Sequence, residues 1–370
     1  MKVVFAAGGT GGHINPALAV AQELRSRDPA AEILFIGTAD RMEANLVPKA
    51  GFDFATIEIS GFQRSLKPVD IKRNLLTLKR LLFVSRQVEK ILVQFRPDVV
   101  VGFGGYVSGP VVRTAHKMGI PTAIHEQNAF PGKTNIALSK YADAVMLTVE
   151  DAAPRMHAGD RAVVTGLPVR EDILAARRDF ARAKLGIGEK KLILSTGGSL
   201  GAQVINDCMK QVITDLADEK ELVFVHGCGK YGTDMIDMLA QAGITQQSHP
   251  NIRVQEYIYD MATYLAACDL FINRAGASSL SEIEALGVPS LLIPSPNVTE
   301  NHQYHNAMAL VRNDAALMIE EKDLQVGRVK EIIRDVVNEP EKISAVGANA
   351  RKLSVPDAQK HICDIVVGLA

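Results

Sequence analysis

Twice in this chain an apolar, β-branched run ends in a glycine turn and passes directly into a helix-like segment: VVFAAGGTGGH at 3–13 and LILSTGGSLGA at 192–202. The run has the length and composition of a buried strand, and the glycines supply a tight turn after it. The same alternation continues around each copy. KVVFAA, AEILFIG, DFATIEI, PDVVVGF, PTAIHE and AVMLTV are short strands, with helical patterns such as 15–27 and 71–95 between them. KLILSTGG, ELVFVHG, IRVQEYI, DLFINRAG and PSLLIPSP form the second series. Strands alternating with longer helices make βαβ units and a mostly parallel sheet. Two such series predict an α/β protein of two doubly wound domains, with the Gly-Leu-Pro break near 163–172 as the linker. Ligands of such sheets bind beyond the carboxyl ends of the strands, so two facing domains would enclose a cleft.

The totals agree with this and exclude other classes. A length of 370 residues suits two domains of ordinary size, and 47% hydrophobic with 22% charged residues is a globular composition. A net charge of −1 provides no overall field for nucleic acid. Cys208, Cys228, Cys268 and Cys363 form no CxxC or Cys/His cluster, so neither a disulfide framework nor a zinc site is expected, and a reducing compartment is. The first apolar run is too short for a signal peptide, and no stretch of 18 apolar residues would span a membrane. The expected location is the cytoplasm or the cytoplasmic face of a membrane.

A glycine turn lets the backbone approach a ligand closely, and the helix after it presents amides with a partial positive charge, for which phosphate is the usual guest. Neither loop is a Walker A, because no Gly-Lys-Ser/Thr follows, and Ile14 stands where a nicotinamide fingerprint needs its third glycine. A third glycine turn lies in GFGGYVSGP at 102–110. The segment 269–307 adds a strand ending at Arg274, a turn at Gly276, and a helix starting near Ala277 with Ser278 and Ser279 in its first turn. Glu282 has two readings: a carboxylate accepting from a ribose diol, or the distal member of a capping box three residues after Ser279. Gln303, His305 and Asn306 form a polar group beyond it.

Taken together, GGTGGHINPALA, GFGGYVSGP, HEQNAFPGKTN, TGLPVR, GGSLGAQVIN and RAGASSLSE…GVPSLLIPSP…NHQYHNA resemble the MurG family of bacterial N-acetylglucosaminyltransferases, across both halves and in order. The resemblance implies a GT-B fold of two Rossmann-like domains facing across a cleft. It also implies inverting transfer of GlcNAc from UDP-GlcNAc to the 4-hydroxyl of the MurNAc of undecaprenyl-linked lipid I, giving lipid II for peptidoglycan. The donor would lie on a C-terminal domain of residues 166–340 and the acceptor on 1–165, with about 341–370 returning to that first domain by analogy with GT-B proteins. Other cell-wall synthesis and division proteins are implied as company.

The resemblance assigns the donor to Thr10, Gly11, Gly12, Asn128, Arg170, Ser199, the backbone of Ile258, the segment Ala277, Ser278, Ser279, Leu280, Ser281 and Glu282, and Gln303. His302 stands where some relatives carry a second glutamine. Gly104, Gly105 and Tyr106 fall to the acceptor. Inverting transfer needs a base for the acceptor hydroxyl and a stabiliser for departing UDP. His13 is the leading base, since its ordinary pKa is close to working pH; its other reading is a phosphate contact or helix cap. Glu126 is the rival base, or else a buried carboxylate supporting its loop, and His125 reads as structural. No DxD follows a strand, so no bound metal or other cofactor is expected, and Arg170, hydroxyls and the helix dipole would carry the leaving-group charge.

A lipid acceptor calls for a membrane-facing surface. Residues 61–96 hold nine Lys/Arg (Arg64, Lys67, Lys72, Arg73, Lys79, Arg80, Arg86, Lys90, Arg96) against Asp70 and Glu89, interleaved with Leu75, Leu76, Leu78, Leu81, Leu82, Phe83 and Val84. Composition alone also fits a domain helix with a solvated basic side. Yet the lipid acceptor that the resemblance implies favours a helix lying in an anionic interface, a peripheral and reversible association at the cytoplasmic face of the cell membrane. Two competing functions share parts of this pattern: a UDP-sugar 2-epimerase, which would have no use for the basic-apolar helix, and a non-catalytic cell-wall scaffold, which would need no base. Reversal of Lys72, Arg73, Lys79 and Arg80 to glutamate is expected to release the protein from anionic vesicles. Unchanged vesicle binding would contradict a membrane-lying helix.

Overall fold

Every apolar run read as a strand becomes one, and all the strands pair in parallel. The structure is a computed structural model that describes residues 1–59 and 83–370. It divides into two units, Met1–Pro168 with Val355–Ala370, and Val169–Ser354.

The first unit carries strands β1 (Lys2–Ala6), β2 (Glu32–Gly37), β3 (Asp53–Thr56), β4 (Val99–Gly102), β5 (Thr122–Glu126), β6 (Ala144–Leu147) and β7 (Ala162–Val164), in the order β3-β2-β1-β4-β5-β6-β7. Side chains alternate across the sheet, so β1 sends Val3 and Phe5 to one core and Val4 and Ala6 to the other. The first core is closed by the helix Gly11–Arg27, through Ile14, Ala17, Val20, Ala21 and Leu24, and by the last helix, Ala358–Leu369, through Ile362, Cys363 and Val366. The second is closed by the helix Gly105–Lys117 and by helical residues 83–95, whose Val84, Val88 and Leu92 are buried four apart.

The second unit carries β8 (Lys191–Thr196), β9 (Leu222–Gly227), β10 (Ile252–Gln255), β11 (Leu270–Asn273), β12 (Ser290–Leu292) and β13 (Leu317–Met318), ordered β10-β9-β8-β11-β12-β13. Its order is that of the first sheet without the seventh strand. In each unit the winding reverses beside the first strand, between β1 and β4 and between β8 and β11. At such a reversal the connections leave to opposite faces and a crevice opens beyond the strand ends.

Two boundaries differ from the sequence reading. Val163 and Val164, placed there in the linker, form the edge strand β7 on β6, too short for periodicity to reveal. The return to the first unit comes at Val355 and not at 341, because the helix Pro340–Leu353 belongs to the second unit. Gly347 is the reason: a Cβ there would stand 2.3 Å from Gly287 O and 2.8 Å from Pro289 Cδ, so that helix rests directly on the end of Ala277–Leu286.

Among the described residues no helix is long and apolar enough to cross a membrane. Lys72, Arg73, Leu75, Leu76, Lys79, Arg80 and Leu82 lie outside the described residues. Of the remaining basic-apolar segment, Phe83, Arg86 and Lys90 are exposed, whereas Val84, read with the membrane-facing group, belongs to the core. Gly347→Val is expected to destabilise the second unit by about 1–3 kcal/mol through overpacking, read as a lowered melting temperature. Melting together with wild type would remove this contact as the reason for the boundary.

Candidate functional site

At the reversal in the first unit, the backbones of the loops after β1 and β4 come into direct contact. Gly105 has φ +74°, and a Cβ on it would stand 2.4 Å from Gly8 O, so only glycine fits. Glu43, fully buried, braces the first loop by accepting from Gly9 N (3.1 Å), Thr38 N (3.2 Å) and Thr38 Oγ1 (2.8 Å). Ser108 Oγ braces the second: it accepts from Gly104 N at 3.0 Å and lies 2.7 Å from the Ala6 and Gly104 carbonyls, either of which takes its hydrogen. Neither brace was foreseen. Glu43 belongs to no motif and opens a helix where an acid is ordinary.

His13 sits in the first turn of Gly11–Arg27, after Thr10 at the N-cap and the glycines Gly11 and Gly12. Its Nδ1 is 3.2 Å from Gly8 O and 3.3 Å from Thr10 Oγ1. A carbonyl only accepts, so in the neutral ring Nδ1 carries the hydrogen and Nε2 the lone pair. That Nε2 faces Gly104, 3.1 Å from where a Cβ on Gly104 would stand. Tyr106 Cε1 lies 3.7 Å from the corresponding point on Gly9. Thr10, His13, Gly104, Gly105 and Tyr106 therefore share one end of one crevice.

Glu126 ends β5 fully engaged. Oε1 accepts from Asn128 N (2.9 Å) and Asn128 Nδ2 (3.2 Å), and Oε2 from Gly132 N (3.1 Å) and Asn135 Nδ2 (2.8 Å). Burial raises its pKa, and these four donors pull against that rise. The arrangement is that of a loop support, with the capacity of both oxygens taken, and it also commits the Asn128 amide. His125 is buried on the same strand, with Nε2 donating to Gly166 O (2.9 Å) and its ring stacked on Phe103. Burial pushes its pKa down to about 4, so it is neutral.

In the second unit the loop after β8 is tied by Thr196 Oγ1, which donates to Gly227 O (3.0 Å) and accepts from Gly198 N (3.2 Å), leaving Ser199 exposed. After β11 the helix Ala277–Leu286 begins where expected, but its N-cap is Gly276. Ser279 thus lies inside the helix, and the capping-box reading of Glu282 falls. Instead Glu282 Oε1 meets Arg170 Nε at 3.5 Å, with Asp172 3.6 Å from the same nitrogen. Burial raises the Glu282 pKa, Arg170 opposes the rise and Asp172 adds to it. Leu280 and Ser281 turn inward and are buried, and the Leu280 amide is spent on Gly276 O. The part of that segment that is not buried is therefore Ala277, Ser278, Ser279 and Glu282, all half-buried.

Gln303 accepts from Ser295 N through Oε1 (2.9 Å), leaving its NH2 end to donate outward. His302 Nδ1 is taken by Thr299 O at 2.8 Å, and buried Asn306 donates to Ala275 O at 3.2 Å, steadying the Gly276 turn. The Ile258 side chain is buried against Gly227, so only its backbone is on offer. Inside this unit His226 lies between Ser195 Oγ (2.8 Å) and Asn206 Oδ1 (3.1 Å), and burial lowers its pKa to about 4. Among the described residues no three His, Cys, Asp or Glu side chains converge as metal ligands. A cavity of about 430 Å³ lies at the opposite, amino end of β8, but its Arg178 and Arg182 are spent on Asp269 and on main-chain carbonyls.

Comparison with known proteins bears on both crevices. Residues 3–147 match the glycosyltransferase family 28 N-terminal domain and 192–362 match its C-terminal domain. The UDP-N-acetylglucosamine–N-acetylmuramyl-(pentapeptide) pyrophosphoryl-undecaprenol N-acetylglucosamine transferase of Acetivibrio thermocellus is 41% identical over 99% of this chain and 97% of its own. The enzyme of the same name from Desulforamulus reducens is 42% identical over 99% and 98%. The crystal structure of Acinetobacter baumannii MurG superposes with a TM-score of 0.79 at 29% identity, covering 99% of each chain.

The two buried histidines have a readable pH signature. Each contributes its full stability above pH 6.5 and loses it as the pH falls towards about 4, because the unfolded chain takes the proton first. Buried Glu284, raised to about 8, works the other way, gaining stability as the pH falls, so the rings are best observed directly. In a histidine-ring NMR titration both are expected to stay neutral to about pH 5. Titration of either ring between about pH 6 and 7 would contradict this burial.

Proposed function

The chain belongs to glycosyltransferase family 28, and from that premise we propose that it moves GlcNAc from UDP-GlcNAc to the 4-hydroxyl of the lipid I MurNAc, giving lipid II. The observation that carries the reading is the complementary chemistry of the two crevices. The second unit offers what an anionic nucleotide needs: the first-turn amides of Ala277–Leu286, the Ser199 loop and the Arg170 cation beside the Glu282 carboxylate. The first offers what a hydroxyl nucleophile needs, an imidazole with its Nε2 lone pair facing the Gly104 turn.

The steps follow from those groups. The 4-oxygen attacks the anomeric carbon as the bond from that carbon to the UDP oxygen breaks, inverting the centre. The hydroxyl proton passes to His13 Nε2, and the positive charge then on the ring is met by Gly8 O at Nδ1–H. Negative charge growing on the UDP oxygen is met by Arg170, by hydroxyls of Ser199, Ser278 and Ser279, and by the helix N-terminus. His13 is preferred to Glu126 because both oxygens of that carboxylate already accept two hydrogen bonds each, and one of these would have to be displaced before it could take a proton. Gln303, with only its NH2 end outward, donates to a sugar oxygen. Ribose hydroxyls donate to Glu282.

The acceptor's lipid tail places the reaction at the cytoplasmic face of the cell membrane, where the association is peripheral. The nine basic residues of 61–96, with Phe83, Arg86 and Lys90 exposed, support that location. Transfer of labelled GlcNAc to a lipid I analogue is expected with and without EDTA; binding of UDP-GlcNAc without product would favour an epimerase or a scaffold. His13→Ala is expected to lower kcat by about 100-fold or more with the Kd for UDP-GlcNAc unchanged. Equal losses in both would make His13 a binding residue.

A further inference from the structure

Beside His13 lies a buried acceptor that the reaction described above leaves unused. Gln127, which follows Glu126, is almost fully buried, and its Nε2 faces three acceptors: Phe103 O (3.0 Å), His125 O (3.1 Å) and His125 Nδ1 (3.2 Å). Two of these are carbonyls, which only accept, so the amide cannot be turned round and its nitrogen must face them. The amide oxygen is thereby forced the other way. Oε1 is buried and has no hydrogen-bond partner among the described residues. It points at Gly104, 3.5 Å from where a Cβ there would stand, on the turn whose other wall is the His13 ring, with Cδ2 at 3.0 Å and Nε2 at 3.1 Å from the same point. The missing side chain of Gly104, held at φ +94°, leaves a notch between a base nitrogen and an orphan amide oxygen.

An orphan buried acceptor is costly unless a ligand supplies its hydrogen. An amide oxygen repels a phosphate oxygen, so the guest at this notch is a hydrogen-bond donor and not the acceptor's pyrophosphate. The reacting 4-hydroxyl has one hydrogen, which goes to His13. The 3-oxygen of MurNAc is an ether and has no hydrogen to give, so the nearest donor to it is the exocyclic 6-hydroxyl. We propose that Gln127 is a specificity residue whose Oε1 accepts from the 6-hydroxyl of the acceptor sugar while His13 takes the proton of the 4-hydroxyl. The pair of contacts fixes which hydroxyl meets the base. A sugar without that second hydroxyl leaves Oε1 unpaired throughout the reaction.

The inference rests on the transferase reading, and an acceptor series separates the two. A short-chain lipid I analogue is compared with its 6-deoxy and 6-fluoro forms, the fluoro form keeping an acceptor at that position but no donor. Wild-type kcat/KM is expected to fall about tenfold or more for both altered acceptors. Gln127→Met, which removes the oxygen, is expected to bring the hydroxy-to-deoxy ratio close to one. Equal use of the hydroxy and deoxy acceptors by wild type, or retention of activity by the fluoro form, would overturn the role of Gln127 and leave the transferase reading standing. No transfer to the unaltered analogue would overturn both. If Gln127→Met fails to fold, the wild-type series alone decides.

Discussion

The reversal of winding beside the first strand of each sheet is the constraint on which the rest of this protein depends. Parallel strands can be joined only by crossovers, and those crossovers take one hand, so helices leaving β1 and β4 travel to opposite faces. The loops between them part, and the strand ends below become the floor of a crevice. The same happens between β8 and β11. What remains for the sequence to decide is which side chains stand at each opening, and how closely the two loops may approach.

In the first unit the approach is as close as backbone allows, with Gly105 over the Gly8 carbonyl. That contact puts His13, Gly104 and Tyr106 together and gives Gly8 O its place at His13 Nδ1. The buried polar groups behind it are almost all paired. Glu43 holds one loop, Ser108 the other, and Glu126 the segment 128–132, each through short bonds in a low-dielectric interior where an unpaired group would be costly. Paired groups of this kind keep a site rigid; among the described residues of the first unit the exceptions are Gln127 Oε1 and Asn135 Oδ1. The second unit presents at its crevice the N-terminus of Ala277–Leu286 and Arg170 beside Glu282. Burial keeps His226 neutral behind it, so it adds no charge of its own.

Much of this was legible beforehand because it is local. Strands announce themselves by composition over about five residues, glycine turns by the residue itself, and helix starts by the turn before them. The helix at Ala277 and the strands around both glycine loops are found where those signals put them. The misreadings lie where local signals are weakest or mislead. β7 is three residues long and exposed, which leaves no pattern to read. Ser279 followed by Glu282 has the spacing of a capping box, yet the helix had already begun at Ala277 with Gly276 as its N-cap, and the carboxylate meets Arg170 instead.

By itself, then, the sequence determined that this is a two-sheet α/β protein, where its phosphate-suited turns fall, and which motifs tie it to its relatives. Those are properties of neighbours along the chain. Only the tertiary structure decided what each charged or polar group does. Glu43 braces a loop 34 residues away, Glu126 is consumed by donors from its own loop and the helix after it, and the helix Pro340–Leu353 stays with the second unit because Gly347 fits against Gly287. A carboxylate's role is set by the donors that surround it. Which donors those are depends on how distant segments pack, and no spacing in the sequence records it.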